Sequence, residues 1–280
     1  MRKFALVILD DVDKVTDRYN LDLVTQPTGL GFTLNVSFLS GDIRDVITKV
    51  SQAKNRIKFT INQYQRSYSK ANSLALWVQK YSKPEYIMAL EYDDGNIIRY
   101  CEGRVVSLGK TEIDTFRNLP QEFEFLQTTP FFVKRENTIV IQTSATGKSY
   151  PFKYPYAYGR YELVNNDIDN VYLLDIPLVV TIYGAINNPT LSLVDEDNEP
   201  YKTVAFNETL HENERIIINS AQNKIWKIDA NGVKTDYSPE VDPLYNTFLL
   251  AKGGHSKLTI NSQLASTGFR LVGGWREYRL

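Results

Sequence analysis

The sequence is poor in the residues from which most catalytic and metal centres are built. It has one cysteine, Cys101, and two histidines, His211 and His255, in 280 residues. A single cysteine excludes an intramolecular disulfide framework and any multi-cysteine metal site. Cys101 lies in IIRYCEG between apolar residues and reads as a small buried hydrophobe, a usage that suits a reducing compartment. A basic excess is also missing. There are 32 Lys and Arg against 33 Asp and Glu, and no basic run, so the charge signature of specific nucleic-acid binding is absent. No apolar run approaches the ~20 residues of a membrane-spanning helix. At the N-terminus the apolar run stops at Leu9 and meets Asp10, Asp11 and Asp13, which makes it a first strand rather than a signal peptide.

What the chain does have is aromatic and β-forming sequence. Its 18 Tyr and 13 Phe favour strands and contact surfaces. GFTLNVSFLS sets Phe32, Leu34, Val36 and Phe38 against Thr33, Asn35 and Ser37, the period-two pattern of a half-buried strand, and QEFEFLQ repeats it with Phe123 and Phe125. Between Tyr86 and Val106, two apolar runs flank Asp93-Asp94-Gly95-Asn96, which predicts a hairpin because Gly supplies φ > 0 without strain. Two stretches predict helices. Ile43, Val46, Ile47 and Val50 form one apolar stripe. Ala71, Leu74, Ala75, Val78 and Tyr81 form another, with Ser69 as N-cap and Pro84 as stop.

The texture changes at TSATGKSYPFKYPYAYGRYE, where Tyr150, Tyr154, Tyr156 and Tyr158 alternate with prolines and predict an extended, stiff linker whose tyrosines contact the flanking domains. After it come many short strands bounded by Gly, Pro, Asn or Asp, the pattern of a sandwich or barrel. The expected organisation is an N-terminal domain over 1–145, a Tyr/Pro-rich linker over 146–160 and a C-terminal domain over 161–280. The fold class is mainly β: a β-sandwich-like first domain with one or two helices and a hairpin, then a second β-sandwich.

Motifs that carry chemistry fail one by one. His211-Glu212 does not continue into a zinc-binding HExxH helix, because position 215 is Arg215. Gly147-Lys148-Ser149 has Gln142 where a phosphate-binding loop needs its first glycine, and prolines follow in place of a helix. Asp195, Asp197 and Glu199 have calcium-loop spacing, but Pro200 replaces the required glycine and no terminal glutamate follows. Paired carboxylates for glycoside hydrolysis meet only in a fold, and the acids here fall mostly in turns or on polar strand sides. The expectation is a non-enzyme without cofactor or metal. One binding alternative stands: Trp226, Tyr237 and Trp275 as stacking platforms for sugar faces on a carbohydrate-binding β-sandwich module, against a core role for Trp226 between Ile225 and Ile228.

FEFLQTTPFF, KSYPFKYPYAYG, VTIYGAINNPTLSL, ERIIINS with KIWKIDANG, and DPLYNTFLLAKGGHSKLTI, in this order, resemble the distal tail proteins of long-tailed phages infecting Gram-positive bacteria. The likeness covers the second half well and the first half only in its order of elements. Gly254-His255 departs from the Gly-Asn common in that family, and no interface residue carries over. The resemblance implies a first domain that forms a six-fold ring and a galectin-like second domain. It implies a homo-hexameric hub that joins the tail tube protein to the tail tip protein and offers a platform for receptor-binding proteins. Such a hub is assembled in the host bacterial cytoplasm, belongs to the virion tail, and lets DNA pass without binding it.

Overall fold

The computed structural model describes residues 2–31, 34–39, 46–52, 55–63, 68–109, 112–113, 119–143, 161–171, 174–238, 248–262, 264–265 and 269–278. The chain divides into two compact units. One comprises Met1–Val133 with Tyr278–Leu280, and the other Lys134–Glu277.

In the first unit, β1 (Lys3–Leu9), β2 (Val15–Leu21), β3 (Leu23–Thr28), β4 (Leu34–Leu39), β5 (Val46–Gln52) and β6 (Arg56–Gln63) precede helix α1 (Tyr68–Lys80). The strands β7 (Ile87–Asp93), β8 (Ile98–Leu108) and β9 (Leu119–Gln127) follow, and β10 (Phe132–Thr143) begins here. Two antiparallel sheets result, in the orders β2-β1-β7-β8 and β3-β6-β9-β8. Strand β8 belongs to both. Ile98–Glu102 pair with β7, Gly103–Leu108 pair with β9, and the register shifts between Val105 and Ser107. A bulged strand that changes sheets is how a sandwich turns a corner. Gly103 stands at the change: a Cβ there would meet the Leu126 carbonyl oxygen at 2.1 Å and the Phe125 ring at 2.4 Å.

The space between these sheets holds Phe4, Leu6, Ile8, Ile57, Phe59, Ile61, Met88, Leu90, Cys101, Phe123 and Phe125, with Leu74 of α1 and Tyr81 just after it. The Phe59 and Phe123 rings stack at 4.5 Å. Desolvation pushes the Cys101 thiol well above its ordinary pKa, as a buried hydrophobe requires. The opposite face of β1 is also buried, where Ala5, Val7, Leu9, Ala89, Tyr100 and Phe132 cluster with Tyr278. That explains why β1 reads as a continuous apolar run rather than an alternating one.

The sequence expectations meet the structure unevenly. The hairpin at Asp93–Asn96 is present, with Gly95 at φ 94° and the Asp94 amide bonded to the Ile97 carbonyl at 3.4 Å. The second predicted helix is α1, with Ala71 and Leu74 buried; Tyr81, also buried, follows its last residue Lys80. It begins at Tyr68, so Ser69 lies inside the helix rather than at its cap. The first predicted helix is corrected: Val46–Gln52 is strand β5, paired antiparallel to β4 with Val36 opposite Val50 and Leu39 opposite Val46. Val46, Ile47, Thr48 and Val50 are β-branched, which lowers helix and raises strand propensity. Their helical spacing was outweighed by a partner strand that local periodicity does not register. The linker with Tyr150, Tyr154, Tyr156 and Tyr158 lies outside the described residues.

The second unit takes β10 from Lys134, then β11 (Tyr161–Asn165), β12 (Asp167–Asn170), β13 (Ile176–Tyr183), β14 (Ile186–Asn187), β15 (Thr190–Val194) and β16 (Pro200–Ala205). It continues with β17 (Thr209–Leu210), β18 (Arg215–Asn219), β19 (Lys224–Ile228), β20 (Lys234–Asp236), β21 (Leu250–Ala251), β22 (Gly254–Asn261), β23 (Leu264–Ala265) and β24 (Arg270–Tyr278). One sheet runs β24-β13-β18-β19-β20 and another β12-β22-β15-β16. Alternation selects Leu178, Val180, Ile182, Ile216, Ile218, Ile225 and Leu271 from the first sheet as core residues. From the second it selects Ile168, Leu191, Leu193, Val204, Leu258 and Ile260. Both units are antiparallel β-sandwiches, as the short, punctuated strands predict.

The buried aromatic stack makes a testable demand on the first unit. Phe125→Ala is expected to cost about 3–5 kcal/mol in denaturant unfolding. Gly103→Ala removes no core atom, yet the same measurement is expected to show it destabilising, because its Cβ displaces the β8–β9 backbone contact. Wild-type stability in either variant would contradict this account of the corner.

Candidate functional surfaces

Helix α1 is pinned to the edge strand β2 by polar contacts. The Tyr81 hydroxyl donates to Asp17, and the Lys80 ammonium lies 3.8 Å from the same carboxylate. The Tyr81 hydrogen bond, foremost among several contacts, holds the Asp17 carboxyl below its ordinary pKa. Lys70 meets Asp22 at 2.8 Å, and Arg18 pairs with Glu91 across the sheet. Trp77 packs on Tyr19 and Tyr81 with ring centroids at 6.0 and 4.8 Å. These contacts position a helix; the acids and bases in them are mutually neutralised.

The aromatic residues chosen from the sequence as sugar platforms are not brought to one face. Trp226 faces Ile217, which faces Thr181, which faces Val272. That row lies on the side of the sheet opposite Leu178, Val180 and Ile218. Trp275 is opposite Leu178 and therefore points to the core side. Tyr237 follows Asp236, the cross-strand neighbour of Trp226, so alternation puts it on the core side too. Its ring lies 6.1 Å from buried Phe206, and its hydroxyl donates to Glu208 at 3.1 Å. Glu208 also takes the Lys227 ammonium at 3.0 Å. Trp226 alone of the three is on the outer face, with the Lys234 and Lys224 ammonium groups 3.8 and 5.2 Å from its ring centroid.

His255, in β22, bonds through Nδ1 to Asp169 at 2.6 Å and has Nε2 3.4 Å from Asp167. It is thereby a tie between β12 and β22, a role its sequence surroundings did not signal. The acidic stretch at Asp195 is a turn: its carboxylate accepts the backbone N–H groups of Asp197 and Glu199. Among the described residues, no group of three or more His, Cys, Asp or Glu could hold a metal, and no helix is long and apolar enough to cross a membrane.

Comparison with known proteins bears on what such a pair of sandwiches belongs to. A family profile described as the distal tail protein N-terminal domain matches residues 6–128. A chain of the phage P2 baseplate in its activated conformation with calcium superposes at TM-score 0.66 and 16% identity, with 98% of each chain covered. Residues 6–128 thus match the N-terminal domain of phage distal tail proteins, and the chain as a whole has the fold of these baseplate chains. A strontium form of the same baseplate gives TM-score 0.67 at 15% identity, again over 98% of each chain. The SPP1 Dit protein (gp 19.1), described as a paradigm of the hub adsorption apparatus in phages infecting Gram-positive bacteria, gives 0.58 at 11% identity over 99% of each chain. No curated protein sequence matches.

The His255 tie gives this protein a defined pH response. The hydrogen bond to Asp169 raises the His255 pKa, with the Asp169 and Asp167 charges adding to it. A raised folded-state value means the stabilisation is fully present below the unfolded value of about 6.5 and is lost as pH rises through the folded value. The melting temperature of the second unit is expected to fall across that window. His255→Asn should flatten the response; an unchanged pH profile in that variant would refute the tie.

Proposed function

We propose that this protein is the ring-forming hub of a phage tail: six copies join the end of the tail tube to the tail tip protein and carry host-adsorption components such as receptor-binding proteins. In this proposal residues 1–145 form the ring, 146–160 are a Tyr/Pro-rich linker, and 161–280 are a galectin-like domain that projects outward. The chain assembles in the cytoplasm of the host bacterium, and DNA passes the ring without being bound.

The observation that carries the reading is the β4–β5 hairpin. Among the described residues it forms a sheet of two strands only. A solitary two-stranded hairpin is at best marginally stable in water and needs a third strand or a packing surface. A neighbouring copy supplies one. A contact of one surface on a different surface of the next copy closes into a ring when the rotation is right. The hairpin also lies within residues 6–128, the segment matched by the distal tail profile. A carbohydrate-binding module is the second reading; its support is the outer-face position of Trp226.

Light scattering across a concentration range tests the hub. The expected absolute mass is six times the 32.1 kDa of one chain. The ends of the hairpin approach each other, with the Asn55 side chain donating to the Gly31 carbonyl at 3.0 Å. Replacing residues 34–52 by a short Gly-Ser turn should therefore leave the sandwich folded and reduce the mass to one chain. A wild-type monomer at every concentration, or a hexamer that survives loss of the hairpin, would contradict the proposal.

A further inference from the structure

Asp94-Gly95 and Asn231-Gly232 are the two places in the chain where an aspartate or asparagine precedes glycine, and both are hairpin tips. A glycine there leaves its amide nitrogen open to the side-chain carbonyl carbon of the residue before it. The two tips treat that chemistry differently. At the first, Asp94 pairs with Arg99 and accepts the amides of Asn96 and Ile97 at 2.9 and 3.0 Å. These contacts, the Arg99 bond foremost, keep its carboxyl ionised far below the usual carboxylate range, and a carboxylate anion is a poor electrophile. The Gly95 amide is itself taken by the Asp93 side chain at 2.8 Å.

At the second tip the side chain is an uncharged carboxamide. Asn231 is exposed, and among the described residues its carboxamide has no hydrogen-bond partner. The backbone around it is clamped by Asp229. One Asp229 carboxylate oxygen accepts the amides of Asn231 and Val233 at 2.9 and 2.8 Å. The Asp229 amide donates to the Val233 carbonyl at 3.1 Å, and the Gly232 amide donates to the Asp229 carbonyl at 3.0 Å. Gly232 stands at φ 82°, with nothing within 4 Å of where a Cβ would be. An unshielded electrophile thus adjoins a nucleophile that the turn holds in a hydrogen bond.

We infer that Asn231 is a self-modification site, converted without an enzyme to aspartate and isoaspartate from the opened form of the Asp229 turn. The Gly232 amide nitrogen gives its proton to a solvent base and attacks Asn231 Cγ, forming the new C–N bond of a succinimide ring. The carboxamide C–N bond breaks, and its nitrogen takes up a proton and leaves as ammonia. Water then adds to either imide carbonyl and opens the ring, so an amide becomes a carboxylate with nothing oxidised or reduced. Since the closed turn occupies the Gly232 amide, the rate follows the population of the open turn, which the Asp229 bonds set. The product acts on β20, which among the described strands pairs with β19 alone. A carboxylate at position 231 repels that of Asp229, and isoaspartate lengthens the main chain inside a turn that fixes register. Both loosen a strand whose Lys234 ammonium lies 3.8 Å from the Trp226 ring centroid. The hairpin therefore records the age of the chain as a slow, irreversible change of charge and order, and this holds whether or not six copies form a ring.

The test is ageing of the full-length chain in warm, mildly alkaline buffer, followed by peptide mass spectrometry, released ammonia and enzymatic methyl-labelling of isoaspartate. Asn231 is expected to convert well ahead of Asn198 and Asn223, exposed asparagines of other turns. Conversion should be faster still in a chain unfolded by urea. Asp229→Ala should speed it about tenfold in the folded protein, the open population gained when the carboxylate bonds are lost. Asp229→Asn, which keeps a weaker acceptor, should fall between that variant and the wild type. Asn231→Asp should shift the tryptophan emission, and the shift should vanish when Trp226→Phe is added. Absence of conversion at Asn231, a folded chain that converts as fast as the unfolded one, or an Asp229→Ala rate equal to the wild type would each overturn the inference. Unchanged emission in Asn231→Asp would overturn the consequence drawn for β20.

Discussion

Strand β8 serves two sheets, and the first unit is organised by that double duty. Its N-terminal half completes β2-β1-β7 and its C-terminal half completes β3-β6-β9, so one backbone sets the angle between the two sheets. The turn requires a residue without a side chain where the neighbouring backbone comes closest, and Gly103 fills that position against the Leu126 carbonyl. Given that corner, the alternating residues of β6 and β9 face those of β1 and β7, and the phenylalanine stack follows from strand geometry. Helix α1 then covers one flank, held by Leu74 from the core side and by Asp17 and Tyr81 from the solvent side.

The second unit obeys the same chemistry with a different outcome on its outer face. Its core is aliphatic, drawn from two sheets by strict alternation. The outward positions of the first sheet are not the mixed-sign, solubilising residues common on a sandwich exterior. They combine four exposed or half-exposed cations, an indole, a tyrosine and one acid with Val272 and the buried Thr181, Ile217 and Ile228. Nearly all the acids that balance the net charge to -1 lie elsewhere, many in turns where carboxylates accept backbone N–H groups, as at Asp195 and Asp229. Near-neutrality of the whole chain therefore coexists with a strongly biased local field.

The hub role proposed for this chain makes particular demands on such a molecule. In that proposal its surfaces match neighbouring copies and partner proteins. Several titratable groups are committed to local structure: Cys101 to a core, His255 to a cross-strand tie, Asp17 and Glu91 to ion pairs. Low identity with baseplate relatives, 11–16% over nearly full length, fits a fold retained by alternation and turn chemistry while surfaces diverge.

Much of the fold was legible from residues alone. Period-two alternation located β4, β9 and the strands of the second sandwich, Asp94-Gly95 located a hairpin, and the spacing of Ala71, Leu74 and Tyr81 located α1. These signals are local, and the local energetics agreed with the final structure. Val46–Gln52 was misread because both periodicities fit so short a segment, and only pairing with β4 decides between them. The stacking platform illustrates a related limit: sequence shows that Trp226, Tyr237 and Trp275 are aromatic, whereas the face each one takes depends on register across three or more strands. The same register assembles Arg215, Arg270, Lys224 and Lys234, which no run or motif announces. What the sequence by itself determined was strand content, turn positions and the absence of familiar catalytic motifs, since those follow from residue type and short-range spacing. Which side chains share a surface was decided by tertiary structure alone, because in a sheet a shift of one residue in register reverses every side chain.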